Sequence, residues 1–550
     1  MDLITKICSI SGKEFTITQW DLDFYDKISP TFAGQKFQIP TPTLHPEERQ
    51  RRRLSFRNER NLYRRKCDAS GKDIISIYSP DKPFKIYDQK IRRSDSRDPV
   101  SYGQDFDFSK TFTENFKTLL QVIPRQNFIG ANNENSDYVN LTADSKNCYI
   151  VIESSNAENC LYGYWLQRCT NCTDSNFCES CESCYEIDNC FRSYQCYYSA
   201  NLEDCNNCRY SNNCINCSFC YGCVSLQNQS YCIYNKTVSK EEYFHFLQSH
   251  NEKIDFIGLR SQYPEAKNQI KLSENSTGNY LRNTKNCIDC IDGYDAEDCK
   301  YGEHIRRNAK NCMDVSTAGR DAEMIYECIN TGISVYNNLC SMVCWSSHHI
   351  FYSDNCFNSD NLFWCVGLRN KSYCIFNKQY TKEEYEIQVA RIISHMIETK
   401  ERWEFFHPSL SPFGYNETVA QEYYPEAPSS FLPPSGGGWP QDTIQWVWIP
   451  SGHGRPERSA LGVGLGGMWY HRSDYQAPAP VADKIIEGNE LPTTIDKVSD
   501  DILKTAIKCE VTGKLFRIIP QELAFYRKHH LPLPRRHPDQ RHLDRLALRK

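Results

Sequence analysis

The sequence predicts a mainly β protein in which two Cys-rich β-solenoid segments with 12-residue rungs are each capped by a helix. Small α+β modules are expected to flank this pair. Three observations support the prediction: a constant cysteine interval of twelve residues, a second copy of the same repeat, and matching motifs near the two ends of the chain.

The cysteine interval is the strongest of these signals. Of the 29 cysteines, sixteen lie between Cys148 and Cys232 and ten between Cys287 and Cys374. Every third residue in the first segment is small or apolar, a period that fits neither an α-helix nor a flat strand. A narrow β-solenoid with coils about 4.8 Å apart fits it better. The structural rung cysteines are Cys148, Cys160, Cys172, Cys184, Cys196, Cys208, Cys220 and Cys232.

The residues that flank these cysteines predict ladders. Asn147, Asn159 and Asn171 each precede a rung cysteine, and Tyr185 and Tyr197 each follow one. Stacked coils would place such residues above one another as Asn and aromatic ladders on one face.

The second segment repeats the first with a weaker period. The Cys-Leu-Tyr-Gly of residues 160–163 reappears as Cys-Lys-Tyr-Gly at 299–302. Both segments also end in a Tyr-Cys-Ile motif, centred on Cys232 and Cys374. Duplication is the simplest explanation.

A capping box follows each segment. Ser239 with Glu242, and Thr381 with Glu384, have the spacing in which two side chains and two backbone N–H groups satisfy one another at a helix start. We expect each helix to cover the open solenoid end, whose edge groups would otherwise lack partners.

The two ends of the chain are also copies. Residues 8–13 (Cys-Ser-Ile-Ser-Gly-Lys) match residues 509–514 (Cys-Glu-Val-Thr-Gly-Lys), and the Arg spacing of residues 45–57 matches that of 537–549. Residues 67–72 have the outline of a third, shorter relative.

These patterns divide the chain into seven parts. The predicted boundaries are 1–66 for a terminal module with an Arg-rich segment, 67–130 for a connecting module, 131–250 for solenoid 1 with its helix, 251–273 for a linker, 274–407 for solenoid 2 with its helix, 408–500 for a Pro/Gly-rich linker and 501–550 for the second terminal module. The composition of residues 439–472 differs enough to suggest an insertion or a sequence error.

Charge and hydropathy indicate a cytoplasmic protein without membrane contact. The net charge is −5, so there is no global basic bias. The start lacks a signal-peptide pattern, and no apolar run reaches membrane-spanning length. In a reducing compartment the cysteines are expected to remain thiols that pack as small hydrophobes. Zinc or an iron–sulfur cluster at CxxC runs, and disulfides, are the alternatives.

Arginines crowd one segment of each terminal module. One interpretation is a basic helix that contacts the phosphate backbone of RNA or DNA. The slightly favoured alternative is a solvated helix face paired with neighbouring glutamates. The nucleic-acid-binding candidates are Arg49, Arg51, Arg52, Arg53, Arg57, Arg60, Arg64, Arg65, Arg541, Arg545 and Arg549.

Three resemblances follow from these motifs. The 12-residue rung resembles the β-helix of beetle antifreeze proteins in architecture alone, because the Thr-x-Thr ice-binding pairs of that family are not repeated here. The whole chain resembles an uncharacterised Cys-rich family of candidate-phylum bacteria, which implies no known activity.

The terminal modules resemble a family of probable zinc-ribbon domains. By position, that resemblance implies two ligand sets, Cys8, Ser11, His45 and Glu48 in one module and Cys509, Thr512, His537 and Gln540 in the other. Ser, Thr and Gln are poor zinc ligands, so zinc-free modules held by packing are expected. The alternative is that zinc is retained, with Cys8, His45, Cys509 and His537 as the metal candidates.

The sequence contains none of the common catalytic motifs, and we expect no enzyme activity. The first hypothesis is a non-catalytic binding scaffold that presents repeat faces to a macromolecular partner. The alternatives are a nucleic-acid or ribosome-associated protein and a zinc or iron–sulfur protein. The partner is expected to be a protein, or RNA through the Arg-rich segments.

Overall fold

A computed structural model describes residues 4–94, 97–250, 254–264, 266, 268–314, 316, 322–327, 329, 334–401, 403–425, 445–450 and 467–549. The mainly β class with a solenoid is confirmed. The chain forms two compact units, Met1–Asn127 with Lys267–Tyr475 and Phe128–Ala266 with Gln476–Lys550. Each terminal module therefore belongs to the unit of the solenoid farther from it in sequence.

The N-terminal part of the first unit is built from short hairpins and helices. Its strands are β1 (Ile4–Ile7), β2 (Glu14–Ile17), β3 (Thr31–Phe32), β4 (Gln35–Lys36), β5 (Tyr63–Lys66), β6 (Asp73–Ser76), β7 (Ile86–Tyr87) and β8 (Arg125–Gln126). Its helices are α1 (Gln19–Ile28), α2 (Pro46–Leu54), α3 (Gln89–Arg92) and α4 (Phe112–Val122). The pairs β1/β2 and β5/β6 are antiparallel hairpins, each opening one of the related modules.

Solenoid 1 belongs to the second unit, and all but the last of its strands run parallel. They are β9 (Gly130–Ala131), β10 (Asn140–Ala143), β11 (Ile152–Ser155), β12 (Tyr164–Gln167), β13 (Thr173–Glu179), β14 (Tyr185–Asp188), β15 (Tyr197–Ala200), β16 (Ser218–Tyr221), β17 (Ser230–Ile233) and β18 (Lys236–Thr237), followed by α5 (Lys240–Ser249) and α6 (Phe256–Arg260). Ile152 pairs with Tyr164, and Tyr164 with Asn176. This spacing confirms the 12-residue rung.

A left-handed backbone conformation recurs along solenoid 1. Every third residue from Asn132 to Tyr234 has φ between 46° and 62°, and each lies just before an inward-facing residue. Asn adopts this conformation more readily than most residues. The Asn that precedes four of the eight rung cysteines therefore suits the backbone as well as the ladder, in which Asn147 donates to Asn159 at 3.0 Å. Sequence reasoning found the ladder and missed the backbone requirement.

Cysteines form most of the narrow interior of solenoid 1. All eight rung cysteines are at most 2% exposed. The Cys160 thiol lies 3.4 Å from the carbonyl oxygens of Glu158 and Cys169, so each side chain meets the backbone of its own coil and of the next. Burial raises the pKa of Cys190 to about 11 and that of Cys178 well above its usual value. Burial thus keeps these two thiols protonated at neutral pH.

This burial predicts slow thiol chemistry in the native state. We expect the rung cysteines to react with a disulfide reagent at pH 8 about 10³-fold or more slowly than in the unfolded chain, because reaction requires opening of the coil. Timed thiol counting with and without denaturant measures the ratio. Rapid labelling of most cysteines in the folded protein would contradict the packing interpretation.

Solenoid 2 belongs to the first unit. Its strands are β19 (Ile270–Lys271), β20 (Gly278–Asn279), β21 (Leu281–Lys285), β22 (Cys290–Ile291), β23 (Tyr294–Glu297), β24 (Arg306–Met313), β25 (Glu323–Tyr326), β26 (His348–Phe351), β27 (Asp360–Phe363), β28 (Ser372–Ile375) and β29 (Lys378–Gln379), followed by α7 (Lys382–Glu398). Ile270 pairs with Leu281 eleven residues on, and Ala296 with Ala309 thirteen residues on. Variable coil length explains the weaker period.

Each solenoid ends in a hairpin as well as a helix. The capping boxes predicted at Ser239 and Thr381 are present at the starts of α5 and α7. Before them, β18 folds back antiparallel to β17 and β29 to β28. The Asn377 side chain then accepts from the N–H of Val366 at 2.8 Å and donates to its carbonyl at 2.9 Å. Asn235 does the same to Val224 in solenoid 1. The sequence therefore predicted the helix that ends each solenoid, but not the hairpin and the Asn side chain that precede it.

The rest of the chain follows solenoid 2 in sequence and forms short helices and strands. It contains α8 (Val419–Tyr423), β30 (Gln445–Pro450), β31 (Gly467–Arg472), β32 (Lys484–Glu487), β33 (Thr505–Lys508), β34 (Leu515–Phe516), α9 (Pro520–Lys528) and α10 (Pro538–Ala547). Short 3-10 helices lie at Pro99–Tyr102, Pro408–Leu410, Tyr415–Glu417, Gly488–Glu490, Ile495–Lys497 and Asp500–Lys504.

The segment predicted as a linker, 408–500, is packed at both ends. Tyr415 and Val419 are buried in the first unit, and Leu491 and Ile495 in the second. Burial of these apolar side chains stabilises the fold, whereas exposed side chains of a solvated linker would contribute no such stabilisation. Within the segment suspected to be an insertion, 439–444 and 451–466 lie outside the described residues. None of the helices among the described residues has the length and apolar character to cross a membrane.

Candidate functional sites

The C-terminal arginines lie between α10 and solenoid 1. The Arg545 guanidinium lies 2.8 Å from the Asp174 carboxylate, and Arg541 pairs with the same carboxylate. Arg541 also lies 3.3 Å from Glu522, which accepts a 2.7 Å hydrogen bond from the Tyr162 hydroxyl. All five side chains are at most 4% exposed. Two arginines of one module thus dock on one acid of the solenoid.

The N-terminal module repeats this arrangement on solenoid 2. Arg49 lies 2.5 Å and Arg53 3.6 Å from the Asp314 carboxylate. Asp314 is one coil beyond Tyr301, as Asp174 is one coil beyond Tyr162. We name these two groups the docking clusters: Asp174, Glu522, Arg541 and Arg545 in one unit, and Asp314, Glu327, Arg49, Arg52 and Arg53 in the other.

The aromatic surroundings of the docking clusters are duplicated too. Arg541 lies over the Tyr162 ring at 4.4 Å from its centroid, and Arg49 over the Tyr301 ring at 5.5 Å. Such contacts stabilise a cation that has left water. The same contact geometry therefore recurs at both docking sites.

Burial sets the electrostatics of the docking clusters. Removal from water raises the pKa of Asp314, and the neighbouring Arg49 and Arg53 charges oppose that rise. Burial likewise raises the pKa of Glu522, against the opposing charge of Arg541. Each charge is tolerable because its partner is present, so removal of one partner leaves the other buried and uncompensated.

The predicted solvent-facing basic helix is therefore not what the structure shows. The buried candidates are Arg49, Arg51, Arg52, Arg53, Arg57, Arg541 and Arg545. Arg51 pairs with Glu48 and Arg57 with Glu59, as the alternative proposed, but these pairs are buried rather than solvated. The acidic partners stabilise these buried positive charges, as water stabilises an exposed one.

The remaining four candidates differ in exposure, and the side chains of Arg65 and Arg549 are only 8% exposed. Arg549 pairs with Asp188 at 3.4 Å, and Arg65 with Asp68 at 3.3 Å. Arg60 is half-buried and Arg64 exposed. Nucleic-acid contact through these residues stays a prediction, and the buried arginines would have to undock before they could meet a phosphate.

Three loops of the same shape hold Cys8, Cys67 and Cys509. Each cysteine accepts a hydrogen bond at its carbonyl from a glycine four residues on, at Gly12, Gly71 and Gly513, whose φ is 67° to 70°. The predicted third relative at residues 67–72 thus shares the loop of the other two.

The thiols of these loops sit among donors. The pKa of Cys509 lies below its usual value. Burial alone would raise this pKa, but hydrogen bonds from the Thr512 hydroxyl and from the His537 and Thr512 N–H groups outweigh the effect of burial. Cys67 behaves alike, with Ser70 and the Asp88 N–H as donors. Hydrogen bonds that favour the thiolate account for the lowered pKa.

The positions aligned with zinc ligands mostly serve other roles. His45 and His537 cap α2 and α10, each accepting a backbone N–H at Nδ1. Glu48 pairs with Arg51 at 3.3 Å, and Gln540 donates to Asp544 at 2.8 Å. Throughout the described ranges, no three His, Cys, Asp or Glu side chains form a metal-binding group. Zinc binding by Cys8, His45, Cys509 and His537 stays a prediction.

The tyrosine ladder of solenoid 1 is covered by the chain itself. Tyr162, Tyr185 and Tyr221 are at most 2% exposed. The Tyr185 ring contacts that of Tyr526 in α9, with centroids 5.6 Å apart. The flat Tyr-rich face expected as a partner surface is therefore occupied by the C-terminal module.

A polar face of solenoid 1 remains at the surface. We name it the polar ladder; its two columns are Asn132, Asp144, Asn156, Arg168, Ser180, Arg192, Asp204, Asn216 and Asn228, and Glu134, Lys146, Glu158, Thr170, Glu182, Tyr194, Asn206 and Ser218, all exposed or half-buried. Neighbouring coils hold one another's side chains: Asn132 donates to Asp144 at 3.0 Å and Arg192 to Asp204 at 2.7 Å.

Solenoid 2 has a comparable polar face. Asn283 donates to Asp295 at 2.6 Å, and Lys310 lies 3.0 Å from Glu297. His348 is exposed and half-exposed His349 lies 3.1 Å from Asp360, so these histidines belong to a surface ladder.

Sequence reasoning missed the acids of the docking clusters. Asp174 and Asp314 occupy matching places in the two repeats, which was the available signal. Their partners lie more than 250 residues away, so only the matched spacing of acids and arginines in both copies could have suggested the pairing.

Comparison with known proteins adds no family. No protein-family model matches the chain, and no curated protein matches it. What the chain is shown to be is a Cys-rich β-solenoid protein with a 12-residue coil.

Proposed function

We propose that this protein is a non-catalytic binding scaffold of the cytoplasm, whose polar ladder engages a macromolecular partner. The observation that supports the proposal is the division of the solenoid 1 surface. The tyrosine side is buried under the chain's own module, whereas the polar ladder stays open over successive coils.

The geometry of the polar ladder favours binding. Coils repeat about every 4.8 Å, so the side chains form a regular lattice of donors and acceptors. Hydrogen bonds and ion pairs between coils already restrict them, as in Arg192 with Asp204. Pre-ordered side chains lose less entropy when a partner binds. A polar partner with matching charges fits this face better than an apolar one.

The test is charge exchange on the polar ladder. We expect the triple variant Lys146→Glu, Glu158→Lys, Glu182→Lys to bind partners captured by the wild type at least tenfold more weakly, with unchanged melting temperature. The three side chains are exposed, so the fold should tolerate the changes.

The control carries the same net charge change elsewhere. It combines three substitutions at exposed residues of the C-terminal part, Glu490→Lys, Asp496→Lys and Lys497→Glu. Quantitative pull-down of cross-linked complexes, compared across the three proteins, gives the result. Equal capture by all three would refute the role of the polar ladder.

A further inference from the structure

The two terminal modules differ at one sheet edge. In the C-terminal module, β33 lies between β34 and β32, and β32 runs parallel to it. In the N-terminal module the equivalent strand is β1, which pairs with β2 in a two-stranded sheet of the described residues. The C-terminal module thus has a third strand at the edge where the N-terminal module has none among the described residues.

Exposure follows this difference. In β33, Thr505 is 8% exposed and Ala506 is fully buried, whereas their counterparts in β1, Ile4 and Thr5, are both exposed. Ile7 is 68% exposed, and its counterpart Lys508 is exposed as well. Exposed apolar residues on an unpaired strand form a template for another strand, which proteins normally protect with charge, proline or a bulge. Lys6 gives no such protection, because its ammonium group is held by a 2.6 Å hydrogen bond to the Thr41 hydroxyl.

At this edge, β1 has backbone N–H and C=O groups that no other strand of the described residues pairs with. Cys8 donates its N–H across the hairpin to Lys13 at 2.9 Å. Because such bonds alternate along an antiparallel pair, the N–H and C=O of Lys6 also face β2, and those of Thr5 and Ile7 face the opposite way.

The C-terminal copy confirms this alternation. There Asp483 donates its N–H to the Lys504 carbonyl at 3.0 Å, across the β32–β33 pair. Ala506, two residues on, faces β32 in the same way. Since Cys8 aligns with Cys509, Thr5 is the counterpart of Ala506.

We propose that the free edge of β1 binds an extended polypeptide segment of a partner protein, parallel to β1 and carrying β-branched apolar residues. The model for that segment is Lys484–Glu487, Lys-Ile-Ile-Glu, which completes the other copy. Glu487 pairs there with Lys508 at 2.9 Å. The N-terminal module has Ile7 at the place of Lys508, so the partner presents an apolar side chain rather than an acid at that point. This edge is separate from the polar ladder.

A labelled peptide tests the proposal on the full chain. The probe is the segment 481–489, Val-Ala-Asp-Lys-Ile-Ile-Glu-Gly-Asn, carrying the change Glu487→Ile; the unchanged peptide is the comparison. We expect saturable binding by fluorescence anisotropy, several-fold tighter for the changed peptide. Main-chain hydrogen bonds supply affinity, and the side chains supply selectivity.

Proline scanning locates the binding edge. Thr5→Pro removes an N–H that β2 does not use, so the protein should fold normally and bind the peptide at least tenfold more weakly. Thr5→Val keeps the N–H and should bind as the wild type does. Ala506→Pro removes an N–H that faces β32 and should lower the melting temperature.

Two outcomes would overturn the proposal. One is an absence of binding at millimolar peptide, or binding that Thr5→Pro leaves unchanged. The other is strong hydrogen-exchange protection of the Thr5 and Ile7 amides without peptide, which would mean that another segment of this chain or a second copy already occupies the edge.

Discussion

Replacement of Asp174 by asparagine is expected to lower the free energy of unfolding of its unit by about 3–5 kcal/mol. Asp174 is fully buried, and its carboxylate pairs with Arg541 and Arg545. Asparagine keeps the shape but leaves two buried guanidinium groups facing a neutral amide. The docked module should then open first, and α10 should become protease-sensitive before the solenoid does.

Urea unfolding followed by circular dichroism and limited proteolysis measures this effect. The matched control is Asp204→Asn, which removes an ion pair with Arg192 whose members are 45% and 50% exposed, and should cost less than about 1 kcal/mol. Asp314→Asn is the duplicate and should open the N-terminal module. An effect of Asp174→Asn no larger than that of the control would show that apolar contacts alone hold the module.

Replacement of Asn377 by alanine is expected to destabilise the first unit by about 2–4 kcal/mol. Its side chain is fully buried and bonds both the N–H and the carbonyl of Val366. Alanine would leave these two groups of the last coil without partners. Asn235→Ala should cost about 1 kcal/mol, because that residue is half-buried and water can replace the amide.

The comparison of alanine with glycine separates two causes at Asn377. Its φ is 61°, a conformation in which alanine is strained and glycine is not. If hydrogen bonding dominates, Asn377→Gly should be nearly as unstable as Asn377→Ala by urea unfolding. Full recovery of stability in the glycine variant would assign the effect to strain.

The repeating part of the fold could be predicted because its signals are local. The cysteine interval, the inward period of three and the capping boxes at Ser239 and Thr381 each depend on residues within one coil or one turn. The positive φ of every third residue was partly visible in the Asn that precedes rung cysteines. It was missed because Ile150 and Trp165 occupy equivalent positions.

The docking clusters could not be predicted in the same way. A run of arginines on a short helix is usually solvated. Such arginines can be buried only where another element supplies an acidic partner. Asp314 lies on solenoid 2, far from Arg49 in sequence. The apolar residues near Tyr415 and Leu491 were likewise hidden by Pro- and Gly-rich surroundings.

The crossed assignment of modules to solenoids has a consequence for synthesis on the ribosome. Asp314 follows Arg49 by 265 residues. At about 5–20 residues per second, roughly 15 to 50 s pass before the acid that receives Arg49 is translated. The N-terminal module must wait for that time with its cationic helix undocked.

The C-terminal module meets the opposite situation. When Arg541 is translated, the coil that carries Asp174 has long been complete. The contact of Arg49 with Asp314 therefore forms long after Arg49 is translated. The contact of Arg541 with Asp174 can form as soon as α10 leaves the exit tunnel. The nascent chain is most vulnerable to chaperone capture and proteolysis in the first of these intervals.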